Sequence, residues 1–233
     1  MIAENIKALR ERIERKCAEA KRDSSEIKLI AVSKTFGTDD IEKVFGEGLK
    51  DFGENKAQEL SAKYEQLGDK ITWHFIGHLQ RNKVRFVVPA ASYIHSIDSL
   101  QLATEVNKAA SKINKIQKVL LQVKTSEEES KSGIQSKSEL LNLVRYCGEY
   151  SNIQLEGLMT IAPFTDDMNL IRQSFKQLRK LRDDLNSEGF ELKELSMGMT
   201  SDFEIAIEEG ATMLRIGSAI FGERDYSKDW KDS

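Results

Sequence analysis

Short apolar runs alternate with longer amphipathic stretches along the chain. Eight of these runs have the length of buried β-strands and are bounded by polar or glycine-containing segments. Because parallel strands need long crossover connections, the alternation predicts parallel pairing, with a helix between successive strands. The predicted strands lie at residues 27–34, 51–55, 72–78, 93–98, 118–125, 155–162, 192–199 and 213–220.

The stretches between the runs place apolar residues three and four apart, which is the spacing of an amphipathic helix. The first 22 residues show the same spacing, so a helix is expected before the first strand. Ser201 and Glu204 form a capping-box pattern at the start of the last stretch, and Gly210 is a suitable helix stop. The predicted helices lie at residues 38–49, 55–67, 78–89, 99–113, 136–150, 167–186 and 201–210.

Eight strand–helix units in 233 residues, with no linker between them, favour a closed barrel. The alternative is an open doubly wound sheet, which often carries a G-x-G-x-x-G motif after its first strand. The first run here leads into SKTFGTDD, which contains a single glycine. We therefore expect the α/β class, with a single (β/α)8 TIM-type barrel preceded by an N-terminal helix. Residues 1–233 are expected to form one domain.

Charge and composition narrow the functional classes. The net charge is −3, so nucleic acid is not expected as the main partner. No apolar stretch reaches the roughly 20 residues of a membrane helix, and the charged N-terminal stretch does not resemble a signal peptide. Cys17 and Cys147 are far apart in helical patterns, which predicts free thiols and a reducing, cytoplasmic location.

Polar side chains lie at the carboxyl ends of the predicted strands, where barrel enzymes carry their functional groups. All three histidines are among them, so we expect a polar rim around one pocket. No metal site is expected, because the histidines lack H-x-H or H-E-x-x-H spacing. His74 is interpreted either as a hydrogen-bonded residue of the barrel interior or as a ligand contact. The strand-end residues include Lys34, Asn55, His74, His78, His95, Met159, Ser196, Thr200, Arg215, Gly217 and Ser218.

The last two strand ends, SMGMTS and RIGS, each combine glycine with hydroxyl residues. Glycine lets the backbone approach an anion, and barrel enzymes often hold phosphate between the loops after strands seven and eight. A simpler interpretation is that the glycines only turn the chain and that the serine after the first turn only caps its helix. The candidate phosphate ligands are Thr200, Ser201, Gly217 and Ser218.

Lys34 ends the first predicted strand, where it is expected to face the same pocket. A lysine amine and a phosphate site together suggest pyridoxal 5′-phosphate, whose aldehyde forms a Schiff base with lysine. If Arg215 faces the pyridine nitrogen, the ring is a weaker electron sink, because arginine cannot accept the proton. Alternatively, Arg215 pairs with Asp202 or Glu204. A cofactor-free Schiff-base enzyme such as an aldolase also remains open.

Seven segments resemble, in order and spacing, the YggS/PROSC family of pyridoxal phosphate homeostasis proteins. They are AVSKT, FGEN followed by QEL, WHFIGHLQRNK, SKSGI, GLMTIAP, LSMGMTSDFEIAI and RIGSAIFGER. The resemblance covers nearly the whole chain and implies a single barrel like that of the alanine racemase N-terminal domain. Two positions depart from many family members: His78 replaces a proline, and Thr200 replaces a serine while keeping the hydroxyl.

The resemblance implies that pyridoxal 5′-phosphate forms a covalent aldimine with Lys34 and that Arg215 lies against the pyridine nitrogen. The hydroxyl and glycine positions of the last two strand ends would hold the phosphate, and the other residues would line the pocket. No catalytic residue is implied. The implied cofactor-binding residues are Lys34, Asn55, His74, Met159, Ser196, Thr200, Arg215, Gly217 and Ser218.

The resemblance further implies a protein that sequesters or delivers the cofactor and maintains vitamin B6 and amino-acid homeostasis, with little or no catalysis. Its partners would be apo-enzymes that receive the cofactor, and a self-contained barrel is expected to be a monomer. Lys131, after the fifth strand, is a candidate for cofactor entry or release. The alternative is a racemase-like enzyme acting on a small amino acid. Such racemases add a β domain that supplies a tyrosine base, and the chain ends soon after its eighth unit.

Overall fold

A computed structural model describes residues 1–126 and 132–222 of the chain. Eight parallel strands pair in sequence order, and the last pairs with the first to close a barrel. This closure confirms the predicted (β/α)8 class and excludes the open sheet. The strands are β1 (Lys28–Val32), β2 (Asp51–Glu54), β3 (Thr72–Phe75), β4 (Tyr93–Ile97), β5 (Gln117–Gln122), β6 (Ile153–Met159), β7 (Glu194–Ser196) and β8 (Met213–Ile216).

One α-helix precedes the barrel, and at least one lies between each pair of successive strands. The helix predicted from residues 78–89 is shorter than expected, because its first residues form a loop and a 3₁₀ turn. The α-helices of the described residues are α1 (Ile2–Glu19), α2 (Thr38–Gly46), α3 (Ala57–Leu67), α4 (Val84–Ala90), α5 (Leu100–Ser111), α6 (Lys137–Glu149), α7 (Met168–Ser187), α8 (Phe203–Glu208) and α9 (Ser218–Phe221).

Buried apolar side chains form two layers, because successive side chains of a barrel strand point alternately outward and inward. The outer layer fills the space between the strands and helices, where Phe52 and Trp73 pack with ring centroids 6.2 Å apart. Burying one such large side chain contributes roughly 1.5–3 kcal/mol. A smaller cluster fills the barrel interior and forms the base of the site described below. Its members are Ile30, Tyr93, Leu120, Met159 and Met213.

The N-terminal helix α1 packs on the outside of the barrel through the apolar face that its spacing predicts. Ile6, Leu9, Ile13 and Cys17 are buried on this face. The helix contacts α8 and α9, which follow the last two strands, and so supports the part of the barrel where the phosphate ligands were predicted. None of the described helices combines the length and the apolar composition that a membrane crossing requires.

The capping box predicted at Ser201 is not formed. Helix α8 begins two residues later, with Asp202 at its N-cap position and no side-chain cap hydrogen bond. The Asp202 carboxylate instead accepts a hydrogen bond from the Met199 backbone N–H at 2.5 Å, so it stabilises the loop after β7. The predicted helix stop is confirmed, because Gly210 follows the helix in the left-handed region at φ +92°.

Candidate functional site

A cavity of about 760 Å³ opens at the carboxyl end of the barrel. Its walls come from residues at or just beyond the ends of most of the strands, which is where parallel barrels carry their functional groups. Six of the nine predicted cofactor-binding residues lie in these walls. The lining residues are Val32, Lys34, Asn55, Ile76, Gly77, His78, Gln122, Ser132, Ile161, Phe164, Met199, Thr200, Ser201, Arg215, Gly217 and Ser218.

Lys34 is half-buried in the cavity wall, two residues beyond the end of β1. The sequence predicts a strand through residue 34, whereas the strand ends earlier because the chain turns at Thr35, whose φ is +72°. This left-handed conformation is uncommon for a residue other than glycine. Both neighbours of Lys34 are anchored: the Thr35 N–H donates to Glu59 Oε1 at 2.7 Å, and the Ser33 hydroxyl donates to Glu54 Oε1 at 2.6 Å.

Glu54, Glu59 and Lys63 form a buried cluster behind Lys34. The Lys63 ammonium donates to Glu54 Oε1 and Glu59 Oε1, each at 2.8 Å, and to the Ser33 carbonyl oxygen at 2.9 Å. Burial raises the pKa of Glu54 to about 7, although the attraction of Lys63 opposes the shift. The cluster therefore fixes the backbone on both sides of Lys34, and one of its carboxyl groups takes up a proton near neutral pH.

We expect Glu54→Gln to change the pH dependence of stability. The Glu54 pKa is about 7 in the native protein and roughly 4.3 in the unfolded chain, so the stabilisation from its bound proton is complete below about pH 4. That stabilisation is lost as the pH rises through about 7, whereas glutamine does not titrate. Relative to the unmodified protein, the variant should therefore gain on the order of 1–3 kcal/mol between about pH 5 and about pH 9.

Urea unfolding at the two pH values measures this difference. Glu42→Gln is the control, because the Glu42 carboxylate is exposed and pairs with Lys70 at the surface. A Glu54→Gln stability difference that stays constant with pH would contradict the proposed titration.

The predicted phosphate ligands lie together on one side of the cavity. Thr200 and Ser201 follow β7, and Gly217 and Ser218 follow β8. The Ser218 hydroxyl donates to Thr200 Oγ1 at 3.2 Å, so the two strand ends bring their hydroxyls within hydrogen-bond distance. Ser201 does not cap helix α8, which was the simpler interpretation of this residue, and instead lines the cavity. The arrangement offers several neutral donors to one anion.

Arg215 lines the cavity from β8, with 5% of its surface exposed. Its guanidinium donates to Ser196 Oγ at 2.7 Å and to the Thr160 carbonyl oxygen at 2.8 Å. Burial lowers the pKa of Arg215 to about 10, so the group remains a cation at neutral pH. Asp202 and Glu204 were the two carboxylates considered as partners of Arg215. Glu204 pairs with Arg12 instead, while the negative charge of Asp202 partly opposes the lowering of the Arg215 pKa.

His74, Met159 and Ser196 do not line the cavity. All three are fully buried in the barrel interior, with Met159 in the interior apolar cluster. His74 is hydrogen-bonded there to Asp51 and His95, which agrees with its interpretation as a hydrogen-bonded residue of the barrel interior. The expected rim of three histidines is wrong, because inward-facing positions in mid-strand carry two of them into the interior and leave only His78 at the cavity. Direct cofactor contact by these three residues stays a prediction.

Eight of the sixteen lining residues were missed by the sequence analysis, among them Gln122, Ile161 and Phe164. Gln122 donates to the Ser132 carbonyl oxygen at 2.9 Å, and Ile161 adds an apolar wall. Phe164 is fully exposed at the mouth. Gln122 is the single polar residue within the apolar segment VLLQV, at residues 119–123, and this was the available signal for it, whereas the loop residues carried none.

His78 lines the mouth with 58% of its side chain exposed, and its Nδ1 lies 3.9 Å from Asp98 Oδ2. Lys131, the candidate for cofactor entry or release, lies outside the described residues. Within residues 1–126 and 132–222, no group of three or more His, Cys, Asp or Glu side chains is placed to hold a metal ion.

The lining residues fit pyridoxal 5′-phosphate. Asn55 Oδ1 is buried without a hydrogen-bond partner in the described structure, so the cavity offers an acceptor to a ligand donor such as the cofactor's phenolic hydroxyl. Arg215 supplies donors for a ring nitrogen, and Lys34 supplies an amine for an aldehyde. The cluster of hydroxyls suits a phosphate. The donor set therefore matches each functional group of this cofactor.

Two sequence comparisons establish the family. The family described as alanine racemase, N-terminal domain, matches residues 2–225. The pyridoxal phosphate homeostasis protein of Aquifex aeolicus is 44% identical over 225 residues, which make up 96% of this chain and 98% of that protein. The chain belongs to the pyridoxal phosphate homeostasis protein family.

Solved structures are consistent with this family and with the fold. PipY of Synechococcus elongatus is 34% identical, and the match covers 95% of this chain and 100% of that chain. The TM-scores are 0.86 for PipY without pyridoxal phosphate and 0.84 for PipY with it bound. An alanine racemase of Clostridium difficile, at a TM-score of 0.73 and 16% identity, covers 99% of this chain and 59% of that chain. It shares the barrel fold with this member of the homeostasis family.

Proposed function

We propose that this protein binds pyridoxal 5′-phosphate in the cavity, sequesters it and delivers it to apo-enzymes, with little or no catalysis of its own. In this role it maintains vitamin B6 and amino-acid homeostasis. The observation that carries the proposal is that an amine, a guanidinium and a group of hydroxyls line one cavity. The names of the relatives and the pyridoxal phosphate bound to PipY support it.

Pyridoxal 5′-phosphate supplies an aldehyde that condenses reversibly with amines. Lys34 Nζ is the proposed point of covalent attachment, and the buried cluster holds the backbone on both sides of it. Arg215 donates to the ring nitrogen and cannot take its proton, so it keeps the ring a weak electron sink. Thr200 and Ser218 donate to the phosphate, and Gly217 lets the backbone approach it.

The ionisable groups of the cavity favour a carrier over a racemase. Among the described lining residues they are Lys34, Arg215 and His78. Arg215 is committed to hydrogen bonds with Ser196 and Thr160, and His78 lies exposed at the mouth. Racemisation needs proton transfer on both faces of a bound amino acid, and the lining residues that the structure describes present one amine for it.

A transfer assay tests the function. The purified protein is loaded with pyridoxal phosphate and mixed with an apo-enzyme that needs the cofactor, and the recovered enzyme activity is followed over time. We expect transfer to the apo-enzyme and no turnover when the loaded protein is incubated with each amino acid. Sustained racemisation or decarboxylation of any amino acid would instead establish the enzyme alternative.

We expect Thr200→Ala to weaken the affinity for pyridoxal phosphate about tenfold or more, because a hydrogen bond to a charged group contributes roughly 1.5–3 kcal/mol. Thr200→Ser keeps the hydroxyl and should bind like the unmodified protein. Absorbance titration measures each affinity. Pyridoxal, which lacks the phosphate, should bind the unmodified protein far more weakly. Equal affinities for the two compounds would contradict the proposed phosphate site.

The protein is further proposed to be a cytoplasmic monomer. Cys17 and Cys147 are both free and buried, which suits a reducing compartment. The barrel closes on itself through β8 and β1, so it leaves no strand edge for a second copy to complete. Light scattering of the loaded protein at several concentrations tests the monomeric state.

A further inference from the structure

A continuous chain of hydrogen bonds runs through the barrel interior from Arg215 to Asp51. Arg215 Nη1 is 2.7 Å from Ser196 Oγ, which is 2.8 Å from His95 Nδ1. His95 Nε2 is 2.9 Å from His74 Nδ1, and His74 Nε2 is 2.9 Å from Asp51 Oδ1. These five side chains, called the relay below, come from β8, β7, β4, β3 and β2 in turn.

Every hydrogen bond of the relay has the same direction when both histidines are neutral. The Asp51 carboxylate only accepts, so His74 carries its hydrogen on Nε2 and accepts at Nδ1. His95 must then donate from Nε2 and accept at Nδ1 from the Ser196 hydroxyl. Arg215 can only donate, so its bond to Ser196 fits the same direction. Burial lowers the pKa of both histidines, which favours the neutral rings.

The relay joins two cavities at opposite ends of the barrel. Arg215 lines the cavity of about 760 Å³ at the carboxyl end. Asp51, whose side chain is 24% exposed, lines a second cavity of about 380 Å³ at the amino end. Ser196, His95 and His74 between them are inaccessible to solvent. A change of protonation at His74 can therefore reach Arg215 through these hydrogen bonds.

We propose that the relay orients the Arg215 guanidinium for the cofactor's ring nitrogen and couples cofactor affinity to the protonation state of His74. This inference rests on the proposed function. A protonated His74 donates from both ring nitrogens, so His95 must accept at Nε2 and carry its hydrogen on Nδ1. Ser196 then accepts from both His95 and Arg215. One added proton thus reverses the direction of two hydrogen bonds and weakens the hydrogen bond between Ser196 and Arg215.

We expect acidification to add the proton to His74. The charged groups around the two histidines favour or oppose this protonation. His74 stacks on Tyr93, with ring centroids 4.7 Å apart, and Tyr93 lies below the ammonium of Lys28. Negative charges favour a proton on His74, whereas positive charges and burial oppose it. The charged and titratable groups that face the two histidines are Asp51, Lys28, Glu194, Tyr93 and Arg215, and Lys118 lies beyond Tyr93.

Nitrogen-15 NMR of the ligand-free protein tests the direction of the relay without any cofactor. At about pH 8, His74 and His95 are expected to be neutral with hydrogen on Nε2. On acidification, His74 should gain a proton and the hydrogen of His95 should move to Nδ1. Hydrogen on Nδ1 of either ring at about pH 8, or a charged ring there, would overturn the inference, even if the protein did not bind the cofactor.

Ser196→Ala tests the coupling, because it disconnects Arg215 while leaving the cofactor's own titration unchanged. Its affinity for pyridoxal phosphate should be about threefold to tenfold weaker at about pH 8. On acidification below about pH 6.5, the ordinary pKa of histidine, the unmodified protein should lose affinity together with the change in the histidine signals, and the variant should lack that step. Ser96→Ala is the matched control, because Ser96 Oγ is buried without a partner in the described structure.

Asp51→Ala removes the acceptor at the far end and should also weaken binding about threefold to tenfold, whereas Asp51→Asn keeps an oxygen acceptor and should lose less. Cofactor binding with the same pH profile in Ser196→Ala and the unmodified protein would overturn the coupling alone. Failure of the unmodified protein to bind would overturn the proposed function alone.

Discussion

Lys63→Met is expected to destabilise the fold by about 3–5 kcal/mol near pH 8, because it leaves buried carboxylates without their counter-charge. Lys63 contacts both carboxylates of the buried cluster at 2.8 Å, and all three side chains have 1% exposure or less. The variant also removes the donor to the Ser33 carbonyl oxygen, next to Lys34. Because burial raises the pKa of Glu54 to about 7, this carboxyl group is protonated at about pH 5, and the loss should be smaller there.

Urea unfolding at both pH values measures this effect. Lys43→Met is the matched control, because the Lys43 ammonium is exposed and pairs with Asp40 at 2.8 Å on the surface. We expect the control to change stability by less than about 1 kcal/mol. A Lys63→Met variant as stable as the control would show that the buried cluster does not support the backbone around Lys34.

Gly77→Ala is expected to disrupt the cavity wall. A Cβ at this position would lie 2.1 Å from the Asn55 carbonyl oxygen, a backbone atom that can move only if the chain around Asn55 moves. Such overpacking typically costs about 1–3 kcal/mol. Because both residues line the cavity, we expect a loss of stability in this range together with a cofactor affinity at least about tenfold weaker.

Thermal unfolding and absorbance titration measure the two effects of Gly77→Ala. Gly46→Ala is the control, because Gly46 ends a helix and a Cβ added there would have no neighbouring atom within 4 Å. Alanine at this position is expected to be neutral or slightly stabilising. If Gly77→Ala bound the cofactor with unchanged affinity, the position of Asn55 would not matter for binding.

The barrel was predictable because two simple periodicities repeat along the chain. Each strand is a short apolar run, and each helix shows three- and four-residue spacing. Counting eight such strand–helix units was therefore enough to predict a closed barrel. Errors occurred where a local turn replaced the regular pattern. Thr35 turns the chain directly after Lys34, and Asp202 replaces Ser201 at the start of α8. Neither departure changes the apolar pattern from which the elements were predicted.

The site was predictable in part because strand-end residues gather at one end of any parallel barrel. That rule found Lys34 and Arg215 and the hydroxyls, but it could not tell inward-facing mid-strand residues from mouth residues. His74 and His95 depend on the strand register of the closed barrel, which sets how deep each side chain lies. Glu59 and Lys63 carried a signal in their spacing of four on one helix, yet their burial follows only from packing against β2.

Mass spectrometry after borohydride reduction tests the central claim most directly. The protein is loaded with pyridoxal phosphate, reduced, digested and searched for lysines that carry a phosphopyridoxyl group. Lys34 lies in the cavity wall with anchored neighbours, so we predict that the group is found on Lys34 and is absent from that site in Lys34→Ala. A phosphopyridoxyl group on another lysine, or on none while the cofactor is bound, would contradict the assignment of Lys34 as the point of attachment.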